Sequence, residues 1–120
     1  MLQDLDAARG SNFDLVLAWD VLDYFAKERT AVLVDLLARL CRPGARLHLI
    51  VSGSATMPAR PTRYRIVDAG NLGYELANDE KVGSPNQTPA MVEKTLDGFR
   101  IEHSFVLRHG VHEYVAARKG

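Results

Sequence analysis

"FDLVLAWDVLDYF", residues 13–25, passes from an apolar run through a Trp-Asp pair into a helical turn within a dozen positions. Beyond Asp14, "FDLVLA" is apolar on both alternating faces: Leu15 and Leu17 point one way, Val16 and Ala18 the other, as in a parallel strand buried on both sides. Trp19-Asp20 marks the change from strand to helix. Asp20 is placed to cap a short turn over Val21–Phe25 by accepting from its free backbone N–H groups.

Working outward, a longer helix is expected from about Glu28 to Leu40. Leu33, Leu36, Leu37 and Leu40 fall at the spacing of one helical face, with Arg29, Asp35 and Arg39 elsewhere. Pro43-Gly44 is read as its end. "RLHLIV" (46–51) is a second strand, apolar on both faces except at His48, and "SGSA" follows it. Two strands joined by a helix form a parallel crossover unit.

Residues 53–88 are the least regular segment, holding or bordering four of the five prolines. "RYRIVDAGNLGYEL" (63–76) reads as a hairpin turning near Gly70-Asn71, and "ANDEKVGSPNQ" (77–87) as loop. Thr88-Pro89 is a good helix start, because Thr caps and Pro at the first position forfeits no bond, and the helix is expected to reach Asp97 before Gly98. "RIEHSFVL" (100–107) and "VHEYVAAR" (111–118) alternate like strands. The short link between them suits an antiparallel hairpin with Gly110 at positive φ.

With 120 residues the chain is one domain, able to bury roughly two-thirds of its unfolded surface. Fifteen basic and fifteen acidic residues cancel, so a polyanion-binding surface, and with it nucleic acid as a partner, is not expected. No apolar run of about 18 residues suggests a membrane span. The single cysteine, Cys41, has no internal partner and fits a small buried thiol in a cytoplasmic protein. His103, His109 and His112 with Glu113 lack a recurrent ligand spacing, so no metal site is expected.

The order of these pieces, an α/β arrangement of parallel strands with a closing antiparallel hairpin, resembles the C-terminal half of the class I S-adenosylmethionine-dependent methyltransferase fold, a Rossmann-like sheet. "FDLVLAWDVLDYF" is similar to that family's fourth-strand segment. "LLARLCRPGARLHLIV" (36–51) is similar to the following helix, turn and fifth strand, with Ala45 where many members carry a second Gly. "GFRIEHSFVLRHGVHEYVAARKG" (98–120) is similar to the sixth and seventh strands. The likeness covers residues 1–51 and 88–120, leaving 53–88 as an irregular insertion.

The resemblance implies S-adenosylmethionine as cofactor and a methyl acceptor as substrate. It puts Asp4 and Leu5 of "QDLDA" (3–7) against the adenine ring, and Trp19 and Asp20 at the methionine part of the cofactor. Asp20, Asp23 and Tyr24 are candidates for a general base at the acceptor. Arg63, Tyr64, Arg65 and Tyr74 lie where the family varies its acceptor-site cover and are substrate-contact candidates. The family's Asn-Pro-Pro-aromatic pattern is absent, which favours a small-molecule oxygen or carbon acceptor. The glycine-rich loop and the ribose-holding acidic residue of the family would precede residue 1, so the chain is expected to hold cofactor weakly or not at all alone.

Two crossovers stepping one way leave their helices on one face of the sheet, so the helices near 28–40 and 89–97 should cover one side. The other face then needs a cover: a second copy of the chain, a separately encoded first half, or residues 53–88 folding back. Three readings compete. They are a methyltransferase completed by its missing N-terminal half, a non-catalytic dimerisation module derived from one, and a dehydrogenase-like Rossmann fragment, which the antiparallel ending disfavours.

Overall fold

The computed structural model describes residues 10–75, 80–85, 87–107 and 110–120. The candidates Asp4 and Leu5 lie outside them, as does His109. A four-stranded mixed sheet organises the chain. β1 (Phe13–Trp19) runs parallel to β2 (Cys41–Ser52), and the order continues through β8 (Val111–Arg118) to β7 (Phe99–Val106), both antiparallel joins. Leu17 pairs with His48 and Trp19 with Ile50, so residues 13–18 and 46–51 are the adjacent parallel neighbours that the sequence suggests.

β1 and β2 are joined by α1 (Lys27–Leu40); α2 (Pro89–Thr95) precedes β7. Both helices pack on the same face. Leu33, Val34 and Leu37 of α1 and Val92, on α2, with Leu96 just beyond it, meet Ala18, Leu47, Leu49, Val51, Tyr114 and Ala116 in one buried cluster. Burying each such side chain contributes roughly 1.5–3 kcal/mol against exposing it. Thr88 caps α2, its hydroxyl accepting from the Met91 N–H at 3.2 Å, with Pro89 at the first turn. That helix stops at Thr95, two residues earlier than expected. α1 ends at Leu40 as expected, but Pro43-Gly44 is not its terminator: both lie within β2, whose inward residues Ala45, Leu47, Leu49 and Val51 alternate with outward Arg46, His48 and Ile50.

The opposite face is uncovered by any helix among the described residues. It is not uniformly apolar, as the strand pattern implied. Leu15, Leu17 and Phe105 are 56%, 53% and 50% exposed, while His48 and Glu113 form a polar pair at its middle. Period-2 counting puts Leu15 and Leu17 on this face but gives no sign that His48 belongs there with a carboxylate from β8, the neighbouring strand in the sheet. Among the described residues β1 is an edge strand of this sheet, paired on one side by β2.

Residues 53–88 contain more structure than a loop. β4 (Arg63–Asp68) and β5 (Asn71–Glu75) form the expected hairpin, its turn at Ala69-Gly70 held by the Asp68 carboxylate accepting from the Gly70 N–H at 2.9 Å. β3 (Thr56–Pro58) pairs with β6 (Lys81–Gly83), a ribbon inside the stretch read as loop. Its three-residue strands are too short for alternation to show in sequence.

Candidate functional site

The chain leaves β1 by a bend that brings its polar residues to the carboxyl ends of the two parallel strands, the rim where open α/β sheets hold ligands. The bend rests on Asp20, whose φ of 62° is left-handed and whose N–H donates to the Ile50 carbonyl at 2.9 Å. Asp and Asn tolerate this conformation better than most side chains. Asp20 does not cap the following 3-10 turn (Leu22–Tyr24), as the sequence suggested: no side chain caps it. The bend turns the carboxylate outward, where its Oδ2 accepts from the Tyr64 hydroxyl at 3.2 Å. Burial raises the Asp20 pKa, and the Tyr64 bond works against that rise.

Asp23 is only 5% exposed. Its Oδ2 accepts from the Ser52 N–H at 2.9 Å, tying the 3-10 turn to the end of β2, while its Oδ1 is buried without a hydrogen-bond partner. Burial pushes the pKa to about 6; the Ser52 N–H lowers it and the nearby Asp20 charge raises it. An acid so placed is poised to exchange a proton near neutrality.

Tyr24 donates to the Pro58 carbonyl at 2.7 Å, fastening β3 beneath the turn. Burial first, then the two aspartates, raise the pKa of this phenol, so it remains a donor. Asp20, Asp23 and Tyr24 thus converge, and with Ser52, Thr62 and Lys81 they line a cavity of about 340 Å³. Its floor depends on a close approach of two loops. The Gly53 N–H donates to the Gly110 carbonyl at 2.6 Å, and a Cβ on Gly53 would come within 2.4 Å of that oxygen. Gly110 has the positive φ expected of it, 73°.

Beside this cavity Trp19 stands on the open sheet face, its ring edge-on to Tyr64 at 5.1 Å and edge-on to His48 at 5.8 Å. The indole Nε1–H donates to His48 Nδ1 at 2.7 Å, and His48 Nε2 lies 2.7 Å from Glu113 Oε1. A second cavity, about 450 Å³, is lined by Leu17, Trp19, Val21, Tyr64, Arg65 and Leu72 among others. The hairpin of β4 and β5 therefore reaches back over the rim, which partly fulfils the third of the three expected covers.

Of the substrate-contact candidates, Tyr64 and Arg65 join this group. Arg63 and Tyr74 do not. Arg63 faces a separate cavity with Arg60, Pro61 and Glu75, and Tyr74 is largely exposed. Alternation does not account for the split, since Arg63 and Arg65 share a face of β4 and Tyr74 is the direct register partner of Tyr64. His48, Glu113 and Ser52 were not singled out by sequence as parts of this site. The available signal was His48, the single polar interruption of "RLHLIV" after Arg46. Among the described residues no group of three or more His, Cys, Asp or Glu is arranged to hold a metal ion, and no helix is long and apolar enough to cross a membrane.

The chain is similar in fold to solved methyltransferases. A SAM-dependent methyltransferase from Methanosarcina mazei superposes with a TM-score of 0.58 at 15% identity, over 91% of this chain and 60% of that one. An S-adenosylmethionine dependent methyltransferase from Mesorhizobium loti gives 0.59 at 17% identity, over 90% and 62%. Magnesium protoporphyrin IX methyltransferase from Synechocystis PCC 6803, solved with bound SAM, gives 0.55 at 22% identity, over 99% and 45%. At such identities the likeness establishes the α/β fold with its mixed sheet. The chain thus spans about half to three-fifths of the length of the structures it matches. No family model and no curated protein matches the sequence.

Proposed function

We propose that this chain is the C-terminal part of a class I S-adenosylmethionine-dependent methyltransferase domain, active on a small-molecule oxygen or carbon acceptor when joined by a first half. The observation that carries this reading is the acidic and aromatic rim, Trp19, Asp20, Asp23 and Tyr64, at the carboxyl ends of a parallel strand pair whose outer edge is unpaired among the described residues. Its fold likeness to methyltransferases more extensive than itself supports the same conclusion.

The described residues fit one side of the cofactor. When bound, it supplies a methyl group activated on a cationic sulfur. The buried Asp23 with one uncommitted oxygen, and Asp20 beside it, make a negative rim suited to a cation. No glycine cradle for the nucleotide stands among the described residues: Gly53, the glycine nearest the rim, is filled by Gly110. Asp4 and Leu5 are proposed to meet the adenine ring, and the remaining grip is assigned to the first half.

In this reading the Asp23 carboxylate accepts the proton of an acceptor hydroxyl. Asp20 orients Tyr64, and Tyr64 and Arg65 close the hairpin over the acceptor, excluding water. Tyr24 holds the floor. Alignment rather than acid–base chemistry carries most of the acceleration, because the methyl group arrives activated. The reading also places the chain in the cytoplasm, with neither nucleic acid nor a membrane as partner.

Translation of the DNA upstream of the codon for Met1 tests the proposal. A strand followed by a glycine-rich loop, in frame or in an adjoining reading frame, is expected. Its absence removes the enzyme reading and leaves the alternative, a non-catalytic module that dimerises through β1. The exposed Leu15 and Leu17 on that edge strand favour this second reading, and light scattering decides it: a monomer at micromolar concentration contradicts it.

A further inference from the structure

Glu113, His48 and Trp19 form a hydrogen-bonded line across three neighbouring strands of the open face. An indole N–H only donates. For Trp19 to give its hydrogen to His48 Nδ1, that nitrogen must carry a lone pair, so the imidazole proton resides on Nε2 and is donated to Glu113. The arrangement fixes a neutral tautomer. The indole so held presents its edge to Tyr64, and Tyr64 in turn donates to Asp20.

We propose that His48 is a pH-sensitive positioning residue: in its neutral form it latches the Trp19 indole, and through Trp19 and Tyr64 the hairpin over the rim, and protonation of Nδ1 releases the latch. Protonation replaces the lone pair with a second N–H, which faces the indole N–H donor to donor. The Glu113 bond survives and becomes an ion pair, so the imidazolium is held in place while Trp19 is let go. No other side chain is needed for the switch.

Among the described residues the charged groups around His48 come from four elements. From β8, Glu113 faces His48 directly. On its own strand the next outward residue is Arg46, whose guanidinium is engaged by Glu102 of β7 at 2.7 Å. His103 of β7 lies on the row of His48 and Val115, one strand beyond β8. From the hairpin, Arg65 borders the Trp19 cavity.

Trp19 is the only tryptophan, so the emission of the chain reports on this bond without any ligand. Taking the intact protein from about pH 8 to about pH 5, the range in which histidine changes charge, should give a one-proton change in Trp19 emission. His48→Gln keeps an acceptor for the indole but does not titrate, and should abolish the transition. Asp23→Asn should leave it in place. A transition that survives His48→Gln, vanishes in Asp23→Asn, or is missing from the wild type overturns the proposal. If His48→Gln does not fold, nitrogen NMR of the wild type decides: a proton on Nε2 at about pH 8 is expected, and one on Nδ1 is contradictory. Because the readout uses no cofactor, its failure leaves the methyltransferase reading standing, and the converse holds.

Discussion

Asp23 and Ser52 are joined by a 2.9 Å hydrogen bond from backbone to carboxylate, which fastens the turn after β1 to the end of β2. The same carboxyl group keeps a second, buried oxygen unpaired. This buried carboxyl group therefore gives the fold a pH dependence of its own.

An acid whose pKa is raised on folding, from 3.8 to about 6, binds its proton more tightly in the native state. Its contribution to stability is fully present below the unfolded value and declines as pH rises from about 4 to about 6. The wild type should lose on the order of 1–2 kcal/mol across that window relative to Asp23→Asn. Thermal melts of both proteins at closely spaced pH values check this; parallel curves contradict it.

Asp20 holds a left-handed conformation. Asp20→Ala should cost about 1 kcal/mol more than Asp20→Asn, because Asn visits that region readily and Ala does not. Chemical denaturation measures the difference. Equal losses would contradict a backbone cost at this position.

The Tyr24 hydroxyl reaches the Pro58 carbonyl at 2.7 Å and the Arg60 carbonyl at 3.2 Å. Tyr24→Phe should lower stability by roughly 0.5–1.5 kcal/mol. Hydrogen exchange should quicken in the ribbon of β3 and β6 before it does in the central sheet. Unchanged exchange at Ala59, whose N–H donates to the Glu80 carbonyl, would contradict the tethering role.

How much of this was visible in sequence depends on length and periodicity. The parallel pair, α1 and the closing hairpin are long enough for their apolar spacing to identify them, and Thr88-Pro89 announced α2. β3 and β6 are three residues each and left no pattern. At the site, Asp20, Asp23 and Tyr24 are close in sequence, so finding the turn found all three. Their roles were less legible, because whether Asp20 caps the turn or faces Tyr64 depends on a backbone angle that composition does not encode. His48 and Glu113 lie 65 residues apart, and strand order alone brings them together.

Leu17 is 53% exposed on the free edge strand, so Leu17→Glu should change the stability of the chain by less than about 0.5 kcal/mol. If a first half covers that face, the same substitution should prevent the two halves from associating. Co-elution on size exclusion compares the two proteins. Association that survives Leu17→Glu would move the interface elsewhere.

Titration calorimetry with S-adenosylhomocysteine, on the chain joined to the segment encoded upstream, tests the central claim most directly. One site per chain is predicted, with a dissociation constant between about 1 µM and 1 mM, accompanied by a change in Trp19 emission. A joined protein that is folded and monodisperse yet takes up no S-adenosylhomocysteine would contradict it.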